Sequence, residues 1–275
     1  MRDLAAAELG VFYAPAVAYE GTMEPDLTIE LINATVQIEQ PSADGRRTVG
    51  TGFLVDAPTP DGRPRTVLVT AAHVFEQMPA PDVQVGWRFQ AGDGAWRYNP
   101  RPMTIRVAGR PAYTRHPTLD IAVMAVAAPD AMARNAIPLS WLADERSFTD
   151  WGVGPGDEMM TVGYPLGQSS NRAGFPILRT GRVASWPLTP FEHYPTMLLD
   201  ITVLGGNSGG PVFMASYGRR RPGTEQSSGA FIVGVLTKQL ELEIGVVTHA
   251  VYVREAISLL DGPGLLAAPP GPNSD

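Results

Sequence analysis

The chain has 275 residues, of which 44% are hydrophobic and 18% charged, so it can bury a sizeable core and its composition excludes a disordered chain. Its net charge of −7 argues against non-specific nucleic-acid binding. It contains no cysteine, which excludes disulfide scaffolds, thiol nucleophiles and cysteine-ligated metal sites.

Residues 1–26 are rich in Ala, then in Pro and Gly, and we expect them to form an N-terminal extension. Asp3 and Glu8 interrupt the apolar residues at the start, so this segment does not resemble a signal peptide. That pattern favours a cytoplasmic location, with export left open. No stretch approaches about 18 uninterrupted apolar residues, and we expect no membrane span.

From Leu27 the pattern becomes strand-like, with short apolar runs rich in β-branched residues and separated by Gly- and Pro-rich turns. We expect a first barrel over residues 27–140. Its predicted strands are LTIELINATVQIE, TVGTGFLVDA, TVLVTAAHVF, VQVGWRFQ, TIRVAGRPAY and DIAVMAV.

A second series follows and predicts another barrel over residues 141–262. Its strands are MMTVGYP, PILRTGRVASW, TMLLDITV, GPVFMA, AFIVGVLTKQ and VVTHAVYV. REAISLLD has helical spacing and predicts a C-terminal helix, and residues 263–275 form a Pro-rich tail. The prediction is therefore an all-β fold of two packed six-stranded antiparallel barrels with a C-terminal helix.

Three segments carry candidate chemistry: TAAH ending at His73, DIAV beginning at Asp120, and GNSGGP around Ser208. A serine hydroxyl is a weak nucleophile unless a base removes its proton, and a histidine oriented by a carboxylate can serve as that base. Glycines on both sides of Ser208 allow a tight turn, in which the N–H groups of Gly206 and Ser208 could meet a developing oxyanion.

In this order TAAHV, HPTLDIAV and GGNSGGPV resemble the three signatures of trypsin-like serine proteases, and the resemblance covers roughly residues 28–260. It implies a serine endopeptidase that works through an acyl-enzyme, without metal or cofactor, in a cleft between two barrels. It assigns His73 as the general base, Asp120 as its partner and Ser208 as the nucleophile, with Gly206 and Ser208 as oxyanion donors.

The chain departs from the digestive members of that family at Asn207, where they carry an Asp that pairs with a new N-terminus. Asn cannot form that ion pair, so activation by zymogen cleavage is not expected. GNSGGP without disulfides is more similar to bacterial members, including the HtrA-like branch. No segment after the predicted helix resembles a PDZ domain.

The resemblance also suggests residues of the substrate pocket. It places Thr202 at the base of the primary pocket, where the absence of an Asp disfavours cleavage after Lys or Arg. Thr237 matches a position that borders the pocket and supports the catalytic carboxylate. His249 is a further candidate, which could face the pocket and favour an acidic substrate side chain, with a core or surface histidine as the alternative. His116 and Asp120 could share a metal, but no third ligand is evident.

A protease acts on a protein or peptide substrate, and its control leaves room for a regulatory protein partner. The oligomeric state stays open.

Two other functions fit part of the pattern. A protease-like fold can serve as a silent binding module. The GNSGG segment also satisfies the nucleophile elbow of α/β-hydrolase esterases, which require the order Ser, acid, His and a helix directly after the serine.

Overall fold

The computed structural model describes residues 26–214, 231–240 and 243–262. Most of the expected extension over 1–26 and the tail over 263–275 lie outside these residues. The described part is built mainly of strands, which confirms the all-β class.

The strands are β1 (Thr35–Pro41), β2 (Arg47–Asp56), β3 (Thr66–Thr70), β4 (Asp82–Gln90), β5 (Trp96–Thr104), β6 (Arg106–Val107), β7 (Arg110–Pro111), β8 (Thr114–Arg115), β9 (Ala122–Ala125), β10 (Ile137–Pro138), β11 (Glu158–Gly163), β12 (Ile177–Val183), β13 (Thr196–Asp200), β14 (Pro211–Met214), β15 (Phe231–Leu240) and β16 (Ile244–His249). The helices are α1 (Leu27–Ala34), α2 (Ala72–Glu76), α3 (Asp130–Ala133), α4 (Glu145–Asp150) and α5 (Val251–Leu259), with short 3₁₀ turns at Leu139–Trp141 and Pro165–Gly167. Among the helices of these described ranges, none has the length and apolar character that a membrane span needs.

The N-terminal half forms one sheet in the order β5-β4-β1-β2-β3-β9-β8, and β10 adds to β2 in parallel. All the other neighbours in it run antiparallel. Within the described ranges β5 and β8 lie at its two ends without pairing to each other. This half is therefore an open eight-stranded sheet, where a closed six-stranded barrel was expected.

The segment TIRVAGRPAY explains part of that difference. Its residues form a separate two-stranded sheet, the β6–β7 hairpin. Ala108 and Gly109 both have positive φ, 50° and 77°, as a two-residue hairpin turn requires. The hairpin makes no ladder with β5 or β8. Strand β5 was not predicted because it contains Pro100 and Pro102, which are tolerated only because this is an edge strand.

The C-terminal half closes into the expected six-stranded barrel, in the order β11-β12-β13-β16-β15-β14. Closure comes from β14, which pairs back onto β11 with Phe213 opposite Met160. Alternating side chains of these strands fill the barrel with a core that includes Met197, Val233 and Leu236, all wholly buried.

Leu27 begins a helix, which corrects the expected first strand over LTIELINATVQIE. The β-branched residues of this segment favoured a strand. However, Asp26 caps the first turn, since its side chain accepts from the backbone N–H of Thr28 over 2.9 Å. The helix then buries Leu27, Leu31 and Ala34, which share one face at helical spacing. The strand starts only at Thr35.

The last predicted strand, VVTHAVYV, is also too long. Strand β16 ends at His249, and α5 already begins at Val251, before the expected REAISLLD. The helix is amphipathic and buries Val253, Ala256 and Ile257 against the sheet of the N-terminal half and the barrel. The C-terminal helix itself is confirmed.

One buried apolar core joins the two halves. It contains side chains from α1 and α5, from β2, β3 and β9 of the open sheet, and from β11, β14 and β15 of the barrel. Phe53, Val162, Phe213 and Val253 are among its wholly buried members. Because both halves bury apolar surface in this shared core, it fixes how the loops at their boundary meet.

Candidate active site

His73 lies in the first turn of α2, just after β3 ends at Thr70. Its backbone N–H donates to Asp120 Oδ1 over 2.9 Å, and its Nδ1 lies 2.6 Å from Asp120 Oδ2. One carboxylate thus holds both the main chain and the ring of His73. This arrangement favours the tautomer with its proton on Nδ1 and leaves Nε2 as a proton acceptor.

Asp120 reaches His73 because β3 and β9 are antiparallel neighbours, with Thr70 opposite Ala122. The end of β3 therefore meets the segment that leads into β9. Burial alone raises the pKa of Asp120, but the hydrogen bonds from His73 and the charge of its ring outweigh burial and hold that pKa below its usual value. The carboxylate is therefore ionised at neutral pH.

Ser208 lies in the loop between β13 and β14, partly exposed between buried neighbours. Gly206 and Gly209 have φ of 98° and 90°, a backbone conformation that favours glycine. A Cβ on Gly206 would lie 2.3 Å from the Tyr164 carbonyl oxygen, so this position has no room for a side chain. The turn therefore needs glycine for its conformation and for its packing.

The peptide between Gly205 and Gly206 has a fixed orientation. The Gly205 carbonyl accepts from the Leu166 N–H over 2.6 Å. Because the C=O and N–H of a trans peptide point in opposite directions, the Gly206 N–H points away from Leu166. Within the described residues, neither this N–H nor that of Ser208 donates to another protein group. Both are free to bind an incoming oxygen atom.

His73 and Ser208 line the same cleft, which has a volume of about 510 Å³. Its other lining residues are Arg47, Thr48, Val49, Val74, Gln77, Leu166, Gly205 and Gly206. The hydrogen bonds of the described residues do not include one between the Ser208 hydroxyl and His73. Such bonds are often long in an unliganded site and tighten when substrate binds.

A larger cavity of about 700 Å³, between β4, β5 and β9, contains none of the triad candidates.

The two threonines proposed for the substrate pocket are engaged with other groups. The Thr202 hydroxyl donates to Glu243 over 2.9 Å, and its carbonyl accepts from Arg179 over 3.1 Å. Thr237 is buried, and its hydroxyl lies 3.3 Å from both the Val246 carbonyl and the Thr248 hydroxyl. Neither contact reaches Asp120, so Thr237 does not support that carboxylate as the resemblance implied.

The structure does not bring His249 to a substrate pocket, which corrects that expectation. Its side chain is wholly buried at the end of β16. The ring stacks on Phe191 at 4.0 Å and meets Phe148 edge-on at 5.1 Å. Burial lowers the pKa of His249 to about 4, against a weak opposing effect of the Tyr194 backbone. His249 is therefore a neutral core residue of the barrel.

His116 also has a structural role. Its Nδ1 faces the N–H groups of Thr118 and Leu119, and its Nε2 lies 3.1 Å from Glu255 on α5. Both ring nitrogens thus have protein partners. Among the described residues, no group of three or more histidine and acidic side chains is arranged to hold a metal ion.

The esterase alternative does not fit the fold. An α/β-hydrolase requires a helix directly after its nucleophile. Here Ser208 is followed by strand β14, which begins at Pro211 and belongs to the closed barrel. His73 and Asp120, which approach the cleft, also precede Ser208 in the chain.

Sequence reasoning missed two residues of the site. Leu166 has φ of 52°, unusual for a residue with a side chain, and its N–H orients the Gly205 carbonyl. Thr51 on β2 donates its hydroxyl to the Gly206 carbonyl over 2.7 Å. Both act through backbone groups that are distant in the sequence, so no local motif indicates them.

No curated protein matches the chain significantly. The solved structures it resembles include the Rv3671c protease from M. tuberculosis in its active form, at 20% identity, with 92% of this chain and 93% of that chain covered and a TM-score of 0.46. The inactive form of Rv3671c has 21% identity over 84% and 90%, with a TM-score of 0.47. The thermostable serine protease AL20 from an extremophilic microorganism has 11% identity over 84% and 98%, with a TM-score of 0.48.

The comparison with protein families is decisive. The model of the trypsin-like peptidase domain matches residues 50–219, which is more than half of the chain and includes His73, Asp120 and Ser208. The chain therefore belongs to the trypsin-like peptidase family and is a serine-type peptidase.

Proposed function

We propose that this protein is an endopeptidase that cleaves peptide bonds through an acyl-enzyme formed on Ser208, with His73 and Asp120 completing a catalytic triad. The observation that carries the proposal is the pair of hydrogen bonds between His73 and Asp120, at 2.9 and 2.6 Å, in a cleft that also contains Ser208. Because the Asp120 carboxylate accepts from both the backbone and the ring of His73, it orients the ring as a base before substrate binds.

The first half of the reaction forms the acyl-enzyme. The Ser208 Oγ attacks the carbonyl carbon of the substrate while its proton passes to His73 Nε2. The carbonyl oxygen becomes an oxyanion, which the free N–H groups of Gly206 and Ser208 bind. The C–N bond then breaks, and the proton on His73 goes to the leaving amine.

The second half hydrolyses the acyl-enzyme. Water replaces the amine and gives a proton to His73, and its oxygen attacks the acyl carbon. The C–O bond to Ser208 breaks, and the proton returns to Oγ. Asp120 remains ionised throughout, as its lowered pKa allows, and stabilises the protonated imidazole in both halves. The sum is one peptide bond and one water converted to an acid and an amine.

Labelling with a fluorophosphonate probe tests this proposal without a known substrate. The probe phosphonylates a serine only when a base and oxyanion donors activate it. We expect the wild-type protein to be labelled and Ser208→Ala to remain unlabelled with unchanged thermal unfolding. Ser169→Ala, which changes an exposed serine outside the cleft, is the matched control and should be labelled like the wild type.

Two results would contradict the proposal. Labelling of Ser208→Ala would place the reactive serine elsewhere. A folded wild-type protein that remains unlabelled would support the alternative of a binding module that keeps the triad without using it.

A further inference from the structure

Thr51 occupies a special position at the boundary of the two halves. It lies on β2 of the open sheet and is wholly buried. Its hydroxyl donates to the Gly206 carbonyl over 2.7 Å and accepts from the Tyr164 N–H over 3.1 Å. Both partners belong to the C-terminal half, and both lie beside the peptide that carries the Gly206 N–H.

The backbone of Thr51 makes two more contacts. Its N–H donates to the Ser208 carbonyl over 2.9 Å. Its own carbonyl accepts from the Thr70 hydroxyl over 2.6 Å, and Thr70 closes the strand that leads to His73. Thr51 therefore touches the nucleophile loop on both sides of Asn207 and the approach to the base.

The chemistry of the contact requires a hydroxyl. The Gly206 carbonyl needs a donor, and the Tyr164 N–H needs an acceptor at the same place. A single serine or threonine hydroxyl can do both, whereas an aliphatic side chain would leave two buried backbone groups unpaired. The β-branched threonine also restricts the side-chain rotamer, so the hydroxyl stays aimed at Gly206.

Gly206 is the residue that needs such restraint. It has no side chain and a φ of 98°, so its backbone is intrinsically free to rotate. The Leu166 N–H holds the peptide that precedes it, and the Thr51 hydroxyl holds the peptide that follows it. With both peptides fixed, the direction of the Gly206 N–H is fixed as well.

We propose that Thr51 is a positioning residue of the oxyanion hole, whose hydroxyl sets the orientation of the Gly206 N–H from the opposite half of the molecule. The proposal rests on the proposed function, because it assigns a role within that catalytic site. It predicts that the Thr51 hydroxyl contributes to the rate of the chemical step and little to the binding of a ligand.

The test compares Thr51→Val and Thr51→Ser by the kinetics of fluorophosphonate labelling. Valine has the shape of threonine and lacks only the hydroxyl. We expect the maximal labelling rate of Thr51→Val to fall by about tenfold to hundredfold, somewhat less than loss of an entire oxyanion donor. The half-saturating probe concentration should change less than about twofold, because ground-state binding is not involved. Thr51→Ser, which keeps the hydroxyl, should stay within about threefold of the wild type.

Thr35→Val is the matched control. Thr35 is also wholly buried on a strand of the open sheet, and its hydroxyl donates to the Leu31 carbonyl over 2.6 Å, away from the cleft. The same substitution there should lower thermal stability without changing the labelling rate. If Thr51→Val does not fold, Thr51→Ala removes the same hydroxyl with less bulk and replaces it in the comparison.

A folded Thr51→Val or Thr51→Ala protein with a wild-type labelling rate would overturn the proposal. So would an equal loss in Thr51→Ser or in Thr35→Val. A wild-type protein that is not labelled would instead contradict the triad itself, so the two failures are distinguishable.

Discussion

At the scale of single residues, the site depends most on the carboxylate of Asp120. Its two oxygens take separate hydrogen bonds from the backbone and the ring of His73. These bonds hold the pKa of Asp120 low even though burial opposes them. In the proposed mechanism the same carboxylate orients the base and supplies the charge that stabilises the imidazolium.

Asp120→Asn separates these two functions. The amide oxygen can still accept from the His73 backbone, so the fold should persist, but the amide NH₂ would then face Nδ1 and favour the wrong tautomer. We expect the rate of fluorophosphonate labelling to fall by about 10⁴-fold. The control is Asp93→Asn, a change in an exposed turn that should leave the rate unchanged. A loss smaller than about tenfold in Asp120→Asn would contradict the assigned role.

The triad candidates could be predicted from the sequence because each lies in a short motif whose chemistry is local. Thr51 could not, because its hydroxyl meets a carbonyl 155 positions later in the chain. His249 shows the opposite error. Its residue type suited a charged pocket, but its burial between two phenylalanine rings depends on tertiary packing that no local pattern reports.

At the scale of elements, His249 connects the end of β16 to the core of the barrel. The ring packs between Phe148 of α4 and Phe191 of the loop before β13. Neither ring nitrogen has a protein partner of normal hydrogen-bond geometry among the described residues. The buried ring is therefore held neutral, and its pKa falls from 6.5 to about 4.

That lowered pKa makes the stability of the barrel sensitive to acid. Between pH 6.5 and about 4 the unfolded chain binds a proton at this position that the folded chain does not. The stabilising contribution is complete above pH 6.5 and is lost as the pH falls toward 4. At about 1.4 kcal/mol for each pKa unit, the loss approaches roughly 3 kcal/mol.

His249→Phe should remove this sensitivity, because a third phenyl ring does not titrate. We expect its free energy of unfolding, measured with urea from about pH 7.5 to 4.5, to fall less than that of the wild type over this range. The control is Val247→Ala, which changes the same barrel core without removing a titratable group, and it should keep the wild-type pH dependence. Equal pH dependence in wild type and His249→Phe would rule out this origin.

Secondary-structure elements were predicted well where apolar and polar residues alternate along a strand, and poorly where a helix cap determines the local structure. The strands of the barrel were recognised because their apolar residues face one core. Helix α1 was missed because its β-branched residues favour a strand, while the Asp26 cap and the burial of Leu31 decide for a helix. Local patterns also could not show that the N-terminal sheet stays open, because closure would need a ladder that β6 and β7 do not make.

At the scale of the whole molecule, Arg88 joins three parts of the fold. It lies on β4 and is almost wholly buried. Its guanidinium donates to the carbonyls of Ile32, Asn33 and Thr35 at the end of α1, over 2.7 to 3.0 Å. It also donates to the Tyr164 hydroxyl and the Gly174 carbonyl of the C-terminal half. The three carbonyls at the end of α1 carry the negative end of the helix dipole, and this partial negative charge favours the buried guanidinium cation.

Arg88→Met should therefore destabilise the entire fold. Methionine fills similar space but leaves five acceptors, three of them buried and two half-buried, without this donor. We expect the free energy of unfolding to drop by about 3 kcal/mol or more, as measured by chemical denaturation. Arg110→Met on the exposed β7 should change it by less than about 0.5 kcal/mol. If the free energy of unfolding changed by similar amounts in the two variants, Arg88 would not hold these three parts of the fold together.

The hydroxyl of Thr51 belongs to one half of the molecule, and the carbonyl that it holds belongs to the other. On the proposal that Thr51 positions the Gly206 N–H, catalytic competence depends on the boundary between the two halves and on neither half alone. A ligand that separated the two halves slightly would lower the activity without entering the cleft. A ligand that brought them closer would raise it. The same boundary, which Thr51 and Arg88 span, would then be the site of both inhibition and activation.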